Sequence, residues 1–302
     1  MSNRLKTLLL FLGPLMLLTL FSASFAQEFN KVEIKTIKIT DTVYMLIGSG
    51  GNIGVSVGED GILLVDDQFA ELHEKIKAAI SKIHSGPIRF VLNTHWHYDH
   101  VEGNELLSKA GALIIAHEDA RKRMTVDQYF PFFDFKRSAY PEAALPVMTF
   151  TDSITLHLND EEIHAFHIKN AHSDADIVIF FRKANVIHTG DLYFYGGYPF
   201  IDVSHGGSID GMIAAADIML EMSDENTKVI PGHGRLSNRE ELQSYRNMMV
   251  TVKERVLQHI KEGKTLEEII AAKPTADLDK EWSEQMSPED IVKVIYNDLT
   301  KR

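Results

Sequence analysis

The chain has 302 residues, a formal net charge of −12 and no cysteine. Without thiols there are no disulfides and no thiolate ligands, so any metal site must be built from His, Asp and Glu. An acidic chain whose one cationic run is Arg121-Lys122-Arg123 has no footprint for nucleic acid or an anionic membrane.

The first 26 residues read as a secretory signal. Arg4 and Lys6 precede an apolar run over 8–21, and Ser24-Phe25-Ala26 places small residues at the exit before Gln27. The run is short for a span of about 20 residues, so cleavage and export are expected, to the periplasm or outside the cell, with no stable membrane insertion afterwards. Residues 27–236 are expected to form the main domain and 237–302 a helical extension.

Residues 31–40 alternate apolar and polar as a half-buried strand does. Strands follow at 43–47, 53–57 and 61–65, interrupted by Gly48-Ser49-Gly50-Gly51-Asn52-Ile53-Gly54, which reads as either a turn or a mobile flap. The third of these strands runs into Asp66-Asp67, and a helix is expected over 70–83. Asp66 fits a helix cap and equally a carboxylate that fixes the tautomer of a metal-bound His.

Residues 88–92 form a buried strand and 101–110 a helix, so Asn93-Thr94-His95-Trp96-His97-Tyr98-Asp99-His100 occupies the turn between them. His95 and His97 suit one metal ion, and Asp99 and His100 a second beside it. Neutral imidazole and carboxylate are ligands that zinc, iron and manganese accept.

A strand at 112–116 and a helix at 117–124 come next, and then periodicity lapses over 125–146. That stretch holds Tyr129, Phe130, Phe132, Phe133, Phe135 and Tyr140 among three prolines. Irregular segments of this length are usually functional or disordered, and the aromatics point to a pocket wall. Strands are expected at 147–150, 154–158, 163–168, 175–181, 186–188 and 228–230, with an amphipathic helix over 208–222. A capping box at 237–240 opens a long helix ending near Gly263, and shorter helices follow at 265–272 and 288–299.

Four apolar runs, 88–92, 163–168, 186–187 and 228–230, each end in a turn carrying a potential ligand. These are the cluster just described, His172, Asp191 in Thr189-Gly190-Asp191, and His233 in Gly232-His233-Gly234. Strand ends on one sheet edge face a common region, where glycines permit close approach. His205, in a Gly-rich loop, is kept as a substrate contact. The remaining histidines, His188 among them, read as core, strand-face or surface residues.

This ordered set of His95-x-His97-x-Asp99-His100, His172, Asp191 and His233 resembles the metallo-β-lactamase superfamily across about residues 32–235. The resemblance implies an α/β fold, a four-layer αββα sandwich, with two metals at one edge of the sheets. It assigns His95, His97 and His172 to the first metal, and Asp99, His100 and His233 to the second, with Asp191 bridging. Asp66 then matches the outer aspartate of the family, and the Gly48–Gly54 connection its flap.

Two departures bear on substrate. The best-known exported β-lactamases carry Cys where this chain has Asp191, and a Lys for the drug carboxylate where it has Leu192-Tyr193-Phe194-Tyr195. Asp191 is closer to the lactonases and thioesterases of the fold.

The expected activity is that of a di-metal hydrolase holding two zinc ions, with iron or manganese as alternatives. Asp99 would be the proton-handling carboxylate, and the first expected substrate is a β-lactam, ahead of a lactone or thioester. A non-catalytic metal-binding role is the third alternative. The partner is a small molecule, its candidate contacts being Asn52, Phe130, Phe132, Tyr193, Tyr195 and His205. The sequence leaves the oligomeric state open.

Overall fold

Short apolar runs separated by Gly- and Asp-containing turns cannot bury a face alone, so they pair edge to edge. In the computed structural model, which describes residues 29–301, this begins with Lys35–Lys38 (β1), Val43–Ile47 (β2), Ile53–Gly58 (β3) and Gly61–Val65 (β4) as an antiparallel meander. The expected signal segment lies outside the described residues. Residues 29–31 hold a helical turn, and the chain from Ile34 onward forms a compact unit.

The first sheet continues in parallel through Ile88–Leu92 (β5) and Leu113–His117 (β6). Parallel neighbours need crossovers. His73–Ser81 (α1) supplies the first, and Tyr98–Val101 (α2) with Asn104–Lys109 (α3) the second. After Glu118–Met124 (α4), a separate hairpin of Gln128–Phe130 (β7) and Phe135–Arg137 (β8) precedes Met148–Phe150 (β9), which rejoins the sheet beside β6.

The second sheet takes Ser153–Leu158 (β10), Glu161–His167 (β11), Ile177–Phe181 (β12), Val186–His188 (β13), Lys228–Ile230 (β14) and Ser237–Asn238 (β15) in sequence order. Only β13 and β14 are parallel, joined by Ile209–Met222 (α5). Arg239–Lys261 (α6), Leu266–Ala271 (α7), Asp279–Trp282 (α8) and Pro288–Thr300 (α9) complete the chain.

The period-two pattern decides which side chains fill which layer. On β12, Ile177, Ile179 and Phe181 face the first sheet and meet Val43, Leu63, Leu92 and Ile115. Val178, between them, faces the other way with Ile187 and Val229, against Met212 and Met219 of α5 and Tyr245 and Val252 of α6. Each such buried aliphatic contributes roughly 1.5–3 kcal/mol relative to exposure. The result is an αββα sandwich. The segment read as a helical extension forms the outer layer over the second sheet, with Trp282, Ile291 and Ile295 in the same cluster.

Several boundaries differ from those expected. The single helix at 101–110 is two short ones, because the Asp67 carboxylate and the Gln68 carbonyl both capture the Gly103 amide (2.9 and 3.2 Å). The long helix α6 is capped by Asn238, whose side chain accepts from the Glu241 amide, while Ser237 belongs to β15. The aromatic stretch contains the β7–β8 hairpin rather than an irregular loop.

Candidate metal centre

Strand β5 ends at Leu92, and the next residues lie between the two sheets, where the Thr94 carbonyl accepts the first amide of β12, that of Ile177 (2.9 Å). This junction carries the histidine cluster onto the edge where β13 and β14 also end. His95, His97, His172 and Asp191 offer ligand atoms that all lie within 4.8 Å of one another, and Asp99, His100 and His233 form a second such group. All seven residues expected to hold metal are brought together.

Asp191 divides its carboxylate between the groups. Its Oδ2 lies 3.9 Å from His95 Nε2 and 3.6 Å from His172 Nε2. Its Oδ1 lies 3.1 Å from His100 Nε2 and 3.3 Å from His233 Nε2. Asp99 Oδ2 approaches His233 Nε2 at 3.3 Å and His100 Nε2 at 3.6 Å. Such close approach requires glycine at Gly232, where a Cβ would overlap Asp191 Oδ1, and at Gly51, where it would overlap the His100 ring.

The ring nitrogens turned away from the centre are held by acceptors. His172 Nδ1 donates to the Phe200 carbonyl (2.9 Å), and His97 Nε2 faces the Asp202 carboxylate (3.1 Å). His95 Nδ1 lies 3.0 Å from Thr94 Oγ1, and His100 Nδ1 2.8 Å from Asp66 Oδ2. Asp66 also accepts from the amide and hydroxyl of Thr94, both at 2.7 Å, so it holds the His100 ring and the Thr94 turn and caps no helix. The left-handed backbone at Asp66 (φ 63°) aims it there.

When the rings are neutral, this network points their lone pairs inward. His172 Nε2 and His97 Nδ1 then face each other at 2.8 Å. Two opposed lone pairs repel unless a cation lies between them. His95 Nε2, His100 Nε2 and Asp191 Oδ1 are buried and make no hydrogen bond of normal geometry, a rare condition for buried polar atoms. The donor set therefore fits two divalent cations, one in each cage.

Charge follows the same division. Burial holds His95 well below the usual imidazole range and His172 down to about 4, so these two rings of the first cage are neutral. In the second cage burial would lower His100, but Asp191, Asp99 and Asp66 outweigh it and raise the ring well above its ordinary value. His233 is likewise pushed up to about 10 against burial, chiefly by Asp191. Burial would raise Asp191, yet His100 and His233 hold it well below the carboxylate range. In the protein alone, protons on the second-cage rings balance its carboxylates, and a metal ion would replace them.

The proposed substrate contacts fare differently. Phe130 lines the cleft, a space of about 150 Å³, with His97, Tyr98, Asp99, Phe133, Asp191, Phe194, Phe200 and His233. Phe132 packs beside it on Phe133 and Phe200 without lining it. Tyr193 is buried with its hydroxyl on Ser237, and Tyr195 lies under the Arg235 guanidinium at 4.0 Å. Asn52 holds the His233 loop, donating to the Pro231 and Gly234 carbonyls (2.8 and 3.0 Å). His205 is buried against Trp96 and Phe130 with Nδ1 2.6 Å from Asp202. These four support the site from behind.

The Gly48–Gly54 connection is also a support. Gly51 donates to the Asp99 carbonyl (3.1 Å) and Asn52 to that of Gly232 (2.7 Å), tying the two second-cage loops together. The sequence reading missed Asp202, Phe194 and Phe200; Phe133 stood within the aromatic stretch it had marked.

A family description, the metallo-beta-lactamase superfamily, matches residues 47–233. The chain belongs to this superfamily. It is 21% identical over 225 residues to a metallo-beta-lactamase type 2 of Bacteroides fragilis, covering 70% of this chain and 84% of that protein. It is 29% identical over 147 residues to a hydroxyacylglutathione hydrolase of Pelagibacter ubique (strain HTCC1062), covering 48% of this chain and about half (52%) of that protein.

Among solved structures, a metallo-beta-lactamase from Pontibacter korlensis aligns with TM-score 0.60 at 15% identity, covering 72% of this chain and 99% of that one. The sec-alkylsulfatase Pisa1 from Pseudomonas sp. aligns with TM-score 0.66 at 18% identity, covering 90% of this chain and 51% of that one. At these identities the structures share the fold.

Proposed function

We propose that the protein is an exported di-metal hydrolase that opens a cyclic amide or ester, with a β-lactam as the first substrate to test. The observation that carries the reading is the division of Asp191 between two cages, one oxygen to each. Two bound cations, zinc by preference with iron or manganese accommodated, would supply an ionised water at neutral pH and polarise the substrate carbonyl.

The protein's own groups do the rest. Asp99 borders the cleft, and its carboxylate orients the attacking water and carries the proton to the leaving atom. Phe130, Phe133, Phe194 and Phe200 seat an apolar substituent and exclude water from the reacting carbonyl. The Bacteroides fragilis relative supports the lactam reading.

A second reading, lactone or thioester hydrolysis, is favoured by one specific feature: no Lys or Arg lines the cleft among the described residues, so a substrate carboxylate would find no cation there. The hydroxyacylglutathione hydrolase relative supports it. A side-by-side assay of the zinc-loaded protein with nitrocefin, an acyl-homoserine lactone and an acyl thioester separates the two. Greater kcat/KM for nitrocefin supports the first reading, and the reverse order replaces it with the second. Stoichiometric metal with no hydrolysis of any of the three overturns both in favour of a metal-binding role.

A further inference from the structure

The first cage has a support that neither the ligand pattern nor its spacing announces. Between β13 and α5 the chain passes through Phe200, Ile201 and Asp202 behind the rings of His97 and His172. Asp202 is 2% exposed. Its Oδ2 faces His97 Nε2 at 3.1 Å and His205 Nδ1 at 2.6 Å, while Oδ1 accepts from Ser204 Oγ (2.5 Å) and the His205 amide (3.2 Å). Its backbone amide donates to the His172 carbonyl (2.8 Å), and two residues earlier the Phe200 carbonyl takes the proton of His172 Nδ1.

We infer that Asp202 is a positioning residue for the first cage: it fixes His97 as the tautomer whose Nδ1 faces the metal, and so sets how tightly that cage holds its ion. A buried carboxylate that accepts from four donors can hold a ring at one angle. Through Nε2 it makes His97 a better electron donor at Nδ1. His205 and Ser204 hold Asp202 in turn, which gives the buried His205 a role although it does not border the cleft. The second cage has no contact with this loop comparable to the Asp202–His97 pair. The carboxylate behind its His100 is Asp66, at the end of β4, which also takes the Thr94 hydroxyl beside His95. The inference rests on the cages holding metal, as proposed above.

The test isolates each cage in the purified protein. His233→Ala disables the second cage and His172→Ala the first, and zinc is titrated into each single-cage protein against a competing chelator. Asp202→Asn is expected to weaken binding roughly 10–100-fold in the His233→Ala background. It should change it less than about twofold in the His172→Ala background, and Asp202→Glu should restore most of the loss. Equal losses in both backgrounds, or none in the first, overturn the inference.

A wild-type protein that binds no zinc overturns the metal-centre reading itself, which keeps the two failures distinct. Should Asp202→Asn not fold, nitrogen NMR of the zinc-loaded wild type reads the tautomer directly. A proton on His97 Nε2 supports the inference, and a proton on Nδ1 overturns it.

Discussion

Asp66 and His100 share one buried hydrogen bond, with Oδ2 of the carboxylate 2.8 Å from Nδ1 of the ring. The same oxygen takes the Thr94 hydroxyl, on which the His95 ring rests, so one atom orients a ligand in each cage. Asp66→Asn should therefore weaken both ions, roughly 10–100-fold in affinity, and cost the fold ~1–3 kcal/mol by leaving buried donors poorly paired. Zinc competition and chemical denaturation measure the two effects. Unchanged affinity would mean that Asp66 serves only the fold.

His97→Ala and Asp191→Ala remove donors from the centre without touching either hydrophobic layer. Each variant should keep its far-UV circular dichroism and lose turnover. A metal-replete, active His97→Ala protein would end the hydrolytic account. Chelating the wild type should lower its thermal midpoint, because an ion bound only by the folded state stabilises it, by ~4 kcal/mol at a thousand times Kd.

His188, which is not among the ligands, gives a pH dependence of its own. Its Nδ1 accepts the Gly190 amide (3.2 Å) and its Nε2 donates to the Asn52 carbonyl (3.2 Å), so both nitrogens are used by the neutral ring. Burial pushes its pKa down to about 4. The unfolded chain then binds the proton first, and this contribution, present above pH ~6.5, is lost as pH falls through about 4, up to ~3 kcal/mol. His188→Gln should be less stable at pH 8 but show a shallower decline on acidification. Parallel declines in the two proteins would exclude His188 as the source.

The aromatic cleft predicts selectivity by size. Phe133 and Phe200 pack on each other in its wall with ring centres 4.9 Å apart. Truncating either to Ala should cost about tenfold in kcat/KM for a substrate with a bulky apolar substituent, through lost burial. A small substrate of the same chemistry should be nearly unaffected. Equal losses for both substrates would assign the rings to the fold.

Much of the centre could be read from the chain, because its ligands follow a local rule. His95, His97, Asp99 and His100 crowd one turn, and His172, Asp191 and His233 each follow an apolar strand. Asp202 obeys no such rule: it is a lone acid in an apolar loop, and its partner His97 is 105 positions away. The β7–β8 hairpin was hidden because three-residue strands are too short to display alternation, and Pro131 in its turn masks what remains. Tyr193 looked like a cleft residue beside Asp191, but the single helical turn Gly190–Leu192 swings it into the core.

The most direct test is zinc content per chain after dialysis against metal-free buffer. Two equivalents in the wild type, falling to one in His172→Ala and to one in His233→Ala, are predicted by two cages that share Asp191. No bound zinc in the wild type, or two equivalents retained by both variants, would contradict it.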